Sequence, residues 1–137
     1  MINQLYTGTP TSRRQVTLPV AMLNNAAYGP GTPILVGTQP AIMLDSYQAN
    51  IGGCTCLLNG SFFLTVFGTS ADSPPVNSIV NPGDPLYAAN GIYDAATNVT
   101  YGLRIDKNVS GVPFGRLDPS VSAVPAGNVA NLAAVEI

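Results

Sequence analysis

Short apolar runs separated by turn-forming residues repeat along the whole chain. The runs are rich in Val, Ile, Leu, Phe, Tyr and Thr, and the segments between them contain Gly, Pro and Asn. Turn signals about every 8–12 residues are typical of β-sandwiches and barrels. The pattern therefore predicts an all-β fold, either a small β-barrel or a β-sandwich. The predicted strands are residues 16–23, 34–36, 41–44, 54–58, 62–67, 86–88, 92–94, 103–105, 112–117 and 131–137.

The run SFFLTVF at 61–67 has apolar residues in both of its alternating sets. Successive side chains of a strand point to opposite faces of the sheet. Phe62, Leu64 and Val66 are expected to fill the core, and the opposite face is also expected to be covered, because it too is largely apolar. Some of the side chains beside this strand are predicted to meet another subunit.

Charge is distributed unevenly along the chain. Residues 1–44 contain Arg13 and Arg14 and no acidic residue, whereas residues 45–137 contain three basic and all seven acidic residues. A cationic segment without acids therefore precedes a mildly acidic body. Such a segment is suited to meet carboxylates on a partner, because guanidinium groups bind carboxylates with strong, charge-assisted hydrogen bonds.

We predict that residues 1–15 form an extended N-terminal arm and that residues 16–137 form a single β-domain. In the arm, Leu5 and Tyr6 are the candidate apolar contacts, and the arginine pair supplies the candidate ionic contacts. A frayed terminus without a partner is the alternative, because the first residues of a domain are poorly ordered unless something holds them.

Composition narrows the function further. The chain has 137 residues, of which 46% are hydrophobic and 9% charged, with a net charge of -2. Soluble monomers carry charge on roughly 25–35% of their surface, so this chain is not expected to exist as a free monomer. A pI near 4.5 argues against a nucleic-acid partner. No run approaches the roughly 18–20 apolar residues of a membrane span, so no membrane partner is expected.

Few residues are candidates for chemistry. The chain has no histidine, which is the commonest general base and metal ligand. Cys54 and Cys56 lie in one predicted strand and are interpreted as reduced, buried packing residues, because parallel side chains on one face suit a disulfide poorly. The aspartates lie in turn-like sequences and are interpreted as acceptors of backbone N–H groups. We therefore expect no enzyme activity, no catalytic residue, no metal site and no cofactor.

Five segments together resemble a known family. They are GTPILVG (31–37), PAIMLDS (40–46), IGGCTCLLNGSFFLTV (51–66), NPGDPLYAANGIYDAA (81–96) and VPFGRLDPSVSAVPAGNVANLAAVEI (112–137). Over about residues 29–137 the chain resembles the capsid cement, or head decoration, proteins of tailed bacteriophages. The sequence FGRL at 114–117 departs from the family pattern, which has Ile or Val, then Gly, then a small or apolar residue.

The resemblance implies a compact β-module on the outer surface of the phage head, made in the host cytoplasm and assembled into the virion. Its partners would be the major capsid protein, whose neighbouring subunits it bridges, and further copies of itself in a homotrimer. The residues expected to contact the capsid are Leu5, Tyr6, Arg13 and Arg14 of the arm.

Two alternative functions remain open at this point. The first is a glycan-binding or host-surface-binding β-module on the virion, which would use the tyrosines Tyr28, Tyr47, Tyr87, Tyr93 and Tyr101. Tyrosine suits such sites because its ring is apolar and its hydroxyl is polar. The second is a structural subunit of the tail or of the head-completion apparatus.

Overall fold

A computed structural model of the chain describes residues 4–5, 12–69 and 78–137. The prediction of an all-β fold is confirmed, and in the described residues the strands are joined by turns and one 3-10 helix, Val20–Met22. The strands are β1 (Gln4–Leu5), β2 (Arg13–Thr17), β3 (Pro33–Val36), β4 (Gln39–Met43), β5 (Gly53–Leu57), β6 (Ser61–Gly68), β7 (Pro85–Ala89), β8 (Ile92–Asp94), β9 (Val99–Tyr101), β10 (Arg104–Asp106), β11 (Val112–Leu117) and β12 (Gly127–Glu136).

Five strands close into a β-barrel. Their order is β6, β10, β7, β11 and β12, and β12 returns to pair with β6. Every neighbouring pair in the barrel is antiparallel except β6 and β10, which are parallel. Because β12 pairs with one edge of β6 along its whole length, β1 and β10 share the other edge, with Leu5 opposite Phe62 and Ile105 opposite Val66.

The remaining strands form an open, antiparallel sheet in the order β2, β5, β4, β3, β9 and β8. Its inner face packs on the barrel through Leu35, Ile42 and Leu57, which belong to the same apolar cluster as the barrel interior. Its outer face carries a second apolar cluster, which includes Ile34 and Met43. Both faces are therefore buried, which explains why these short strands have apolar residues at nearly every position.

The chain passes back and forth between the two units. It leaves the open sheet after β5, forms β6 and β7 in the barrel, returns to the sheet for β8 and β9, and ends in the barrel with β10, β11 and β12. Three connections within the described residues therefore link the barrel to the open sheet. The two units share one apolar cluster as well as these connections, so they form a single folded body.

Strand β6 alternates as its sequence predicts. Phe62, Leu64 and Val66 are buried in the barrel, and Phe63 and Thr65 on the opposite face are half-buried. The core role of the first set is confirmed. Contact of the neighbouring side chains with another subunit stays a prediction.

The predicted strand at 16–23 is wrong in both of its boundaries. The strand begins earlier, at Arg13, and ends at Thr17. Proline has no N–H to donate to a sheet, and Pro19 instead starts a turn in which the Met22 N–H donates to the Pro19 carbonyl.

Strand β9 is absent from the set of strands predicted from the sequence. Most of the predicted polar loop at 68–78 lies outside the described residues, and no helix within those residues is long and apolar enough to span a membrane.

Candidate binding surface

Of the four residues predicted to contact a partner, the three that the structure describes are divided between the two units. Arg13 and Arg14 begin β2 at one edge of the open sheet, whereas Leu5 belongs to β1, whose backbone pairs with the barrel strand β6. Tyr6 lies outside the described residues. The last three residues of the predicted arm, 13–15, thus lie in a strand that pairs with β5.

Arg13 and Arg14 lie on opposite faces of the open sheet. Arg13 is directly opposite Leu57, whose side chain belongs to the inner-face cluster, and Arg14 is opposite Cys56, which belongs to the outer-face cluster. Residues directly opposite each other in antiparallel strands share a face. Both arginines are exposed. The pair therefore presents one cation on each face of the edge strand.

The other basic residues are engaged within the fold. Ion pairs join Arg104 to Asp106 (3.0 Å), Lys107 to Asp84 (3.1 Å) and Arg116 to Glu136 (2.9 Å). Arg13 and Arg14 make no ion pair with any residue that the structure describes. They are consequently the basic side chains with most capacity to bind a group outside the chain.

Arg104 and Asp106 form a buried polar cluster on β10. The Asp106 side chain is fully buried and also accepts a hydrogen bond from the Asn108 N–H (2.7 Å). Arg104 donates to the Thr69 carbonyl (2.6 Å) and to Asn128 Oδ1 (2.9 Å), and its guanidinium lies 3.9 Å above the Phe67 ring. This cluster joins the ends of β6 and β12 to β10, so its role is structural.

The interpretation of the aspartates as acceptors of backbone N–H groups is confirmed for four of them, Asp84, Asp94, Asp106 and Asp118. The described bond of Asp45 comes instead from the side-chain amide of Gln48. Asp84 accepts from the Asn81 N–H (2.8 Å), and this bond lowers the pKa of Asp84 below its ordinary value, with a smaller contribution from Lys107. The N–H and hydroxyl of Ser120 lower the pKa of Asp118 in the same way. Both carboxylates are held by turns.

The two cysteines lie side by side on the outer face of the open sheet. Both are free and fully buried, and their Sγ atoms are 3.6 Å apart, well beyond the roughly 2.05 Å of a disulfide bond. The contact with Cys54, followed by burial, raises the pKa of Cys56. The interpretation of the pair as reduced packing residues is confirmed. Within the described part of the chain, no three His, Cys, Asp or Glu residues are placed to hold a metal.

Both thiols are expected to resist alkylation by iodoacetamide in the folded protein and to react after unfolding in urea. The thiolate is the reactive form, but both side chains are fully buried, so the reagent cannot reach either one while the protein is folded. Mass spectrometry of the chain after labelling in the two conditions measures this difference. Labelling of the folded protein as fast as the unfolded protein would contradict the packing role.

Most of the tyrosines are used for packing. Tyr101 is buried and contacts Tyr28 edge to face, with ring centroids 5.3 Å apart. Tyr47 packs against the same outer-face cluster, and Tyr87 is half-buried. Of the five tyrosines considered for glycan binding, only Tyr93 is exposed, at 60%. The described residues therefore do not assemble a platform of several tyrosines.

A cleft of about 340 Å³ separates one end of the open sheet from the barrel. Small or neutral residues line it, among them Gly37, Ala89, Asn90, Ser110 and Gly111. None of its lining residues is charged, so the cleft contains no group for acid–base chemistry near neutral pH.

Known proteins do not assign this surface. The chain matches no protein-family model, no curated protein and no solved structure. Its own residues therefore provide the basis for a functional proposal.

Proposed function

We propose that this chain is a capsid decoration protein, which binds the outer surface of the expanded head of a tailed bacteriophage and bridges neighbouring major capsid protein subunits. The observation that carries the proposal is the exposed arginine pair on an edge strand of a β-body that is otherwise poor in charge. Only 9% of the residues are charged, which is low for a soluble monomer and favours a protein whose surface is covered by other proteins. The segment resemblance over about residues 29–137 supplies the particular partner.

The physical role of such a protein follows from linkage. A ligand that binds only the expanded lattice stabilises that lattice relative to every state that it does not bind. Several copies joined around one axis bind more tightly than one copy, since each further contact forms at a high local concentration. A compact β-module that holds adjacent coat subunits would thereby oppose the outward pressure of packaged DNA.

The contact surface is assigned to Leu5, Tyr6, Arg13 and Arg14. Leu5 and Tyr6 supply apolar contacts, and the two guanidinium groups meet carboxylates of a coat subunit or of a neighbouring copy. Because Arg13 and Arg14 lie on opposite faces of β2, their acceptors must lie on both sides of the edge strand. An acidic partner surface that reaches only one face would engage only one of them.

The test is cosedimentation of the full chain with expanded shells and with unexpanded precursors of the phage that encodes it. We expect binding to expanded shells only, and survival of those shells at higher temperature. A chain lacking residues 2–11 should lose binding yet remain folded, because that deletion leaves β2 and the five barrel strands intact and removes only β1 from the edge of β6. A full chain that fails to sediment with expanded shells contradicts the proposal.

A control variant separates specific contact from general charge effects. Arg116→Gln removes another exposed cation, which lies on β11 and is remote in sequence from the arm, and should leave shell binding unchanged. Electron microscopy of virions separates this function from a tail or head-completion role, because the density would lie on the head faces rather than on the tail. A glycan array tests the glycan-binding alternative, and hits on it would favour that function instead.

A further inference from the structure

The open sheet has two edges that no described strand covers. Strand β2 forms one edge and β8 forms the other. Neither strand contains proline, so each offers a row of main-chain N–H and C=O groups to a further strand. Uncovered edges of this kind are templates for pairing with another chain unless the protein blocks them.

The direction of the strands fixes which edges can meet. All six strands alternate in direction, so β2 and β8 run antiparallel to each other. When a second copy is placed beside the first with its sheet facing the same way, β2 of one copy therefore lies antiparallel to β8 of the next. That is the arrangement of every other pair in this sheet.

The side chains on the two edges match face by face. Asp94 is opposite Val99, which is buried in the outer-face cluster, so Asp94 lies on the outer face, as Arg14 does. Tyr93 is opposite Thr100, which itself pairs with Leu35, so Tyr93 lies on the inner face, as Arg13 does. A continuous sheet keeps its faces, so a register that sets Arg14 opposite Asp94 on the outer face is allowed. In that register Gln15 lies opposite Tyr93 on the inner face, and Arg13 is the diagonal neighbour of Tyr93, within reach of a long side chain.

Each of these groups has unused binding capacity. Asp94 Oδ2 accepts from the N–H and hydroxyl of Thr97, and no described residue donates to its Oδ1. The Tyr93 ring is 60% exposed and Ile92 is 54% exposed. A guanidinium can pair with a carboxylate and can also lie over an aromatic ring, so one arginine is matched on each face.

We propose that copies of this chain associate head to tail, with β2 of one copy adding to β8 of the next as an antiparallel strand. This inference deepens the self-association that belongs to the proposed function, but it does not depend on binding to a shell. Pairing of β2 with β2, or of β8 with β8, across a twofold axis is also antiparallel. Those joints bring together two edges of the same charge, cationic at β2 and anionic at β8, and lack the opposite charge that β2–β8 pairing supplies.

The joint is of the heterologous kind, in which two different surfaces of the same chain meet. Such contacts form a closed ring when the rotation between copies divides a full turn, and an open filament when it does not. The right-handed twist of β-sheets supplies a rotation at each joint. A closed ring of copies would satisfy every edge strand of this sheet.

If the arginines instead blocked pairing at the β2 edge, their removal would have the opposite effect on association. Charged side chains on edge strands also serve to prevent pairing with other chains. If Arg13 and Arg14 only blocked the edge, their removal would increase association. If they form the joint, their removal weakens association.

The experiment is the light-scattering mass of the full chain, without shells, over a wide range of protein concentration. We expect an integer multiple of the chain mass for the natural sequence. Arg14→Asp and Asp94→Arg should each weaken association at least about tenfold, because each replaces an ion pair by a like-charge contact. Carrying both substitutions in one chain should restore it, which a merely structural role for either residue would not allow. Arg116→Asp, an exposed site on β11, is the matched control and should leave the mass unchanged.

Hydrogen exchange provides a second readout that does not depend on any variant. The amides of β2 and β8 should become more protected as the concentration of the natural protein rises, while those of β12 should not change. A chain that stays monomeric, an oligomer whose mass ignores these substitutions, or stronger association after Arg14→Asp would each overturn the proposal. Because no shell is present, these outcomes are independent of whether the protein binds a capsid.

Discussion

Asp106→Ala is expected to lower the free energy of unfolding by about 3–5 kcal/mol, the usual cost of removing one partner of a buried ion pair. Asp106 is fully buried, so its loss leaves the Arg104 guanidinium, only 20% exposed, without its counter-charge. The Asn108 N–H also loses its acceptor. For a domain with a total stability of about 5–15 kcal/mol, the change is a large fraction of the whole. Urea denaturation followed by circular dichroism measures it.

The matched control is the exposed ion pair at the other end of the barrel. Glu136→Ala removes the partner of Arg116, and both side chains of that pair are at least 40% exposed. Exposed pairs contribute about 0–1 kcal/mol, so this variant should remain close to the natural protein. If Asp106→Ala cost no more than Glu136→Ala, the buried cluster on β10 would not hold β6 and β12 together as described.

Gly53→Ala is expected to detach β2 from β5. A Cβ atom built on Gly53 would lie 1.8 Å from the Val16 carbonyl oxygen and 3.0 Å from the Thr17 Cα. These are backbone atoms, which cannot rotate away as a side chain would, so the two strands must separate. We expect a loss of about 3 kcal/mol or more, at or above the upper end of the usual overpacking range. Denaturation in urea measures the loss.

A second readout locates the damage caused by Gly53→Ala. Val16 packs in the same outer-face cluster as Cys54 and Cys56, so detachment of β2 should make these thiols accessible to iodoacetamide without global unfolding. Gly29→Ala is the control, because a Cβ there meets nothing closer than the Ser46 hydroxyl at 3.9 Å. It should change the stability by no more than about 0.5 kcal/mol. Equal behaviour of the two variants would contradict the close packing of β2 on β5.

Much of the fold could be predicted because its signals are local. Apolar alternation and flanking turns identify β6, β8 and β11 almost to the residue. The start of strand β2 at Arg13 was not predicted, because Val16 is its only buried residue. An edge strand that begins with two arginines shows no apolar alternation. Strand β9 has only three residues, which is too short to establish a period, so residues 95–102 were interpreted as the connection between the strands predicted at 92–94 and 103–105. Strand β8 is equally short and was identified from its flanking turns.

The order of the strands could not be predicted, because it depends on contacts between distant residues. Nothing in the sequence of β6 indicates that β12 covers one of its edges while β1 and β10 share the other. The ion pair between Arg104 and Asp106 had a signal, since residues two apart in a strand share a face. Reading Asp106 only as a turn residue missed that pair.

Some residues of the candidate binding surface could be predicted from the sequence. Charge asymmetry identified Arg13 and Arg14, and the structure places both on an uncovered edge strand. Their separation onto opposite faces follows from strand geometry and could be predicted only once residues 13–17 were recognised as a strand. The contribution of β8 could not be foreseen, since it depends on which strand ends the sheet.

The repeated passage of the chain between barrel and open sheet has a mechanical consequence. A force that pulled the two units apart would act on several covalent connections in parallel, at β5–β6, β7–β8 and β9–β10, as well as on the apolar contact between them. Separating the units therefore requires strands to be stripped from both, rather than one interface to be peeled open. We therefore expect the barrel and the open sheet to unfold together under force. If any one of the three connections were cut, the other two would still join the units covalently.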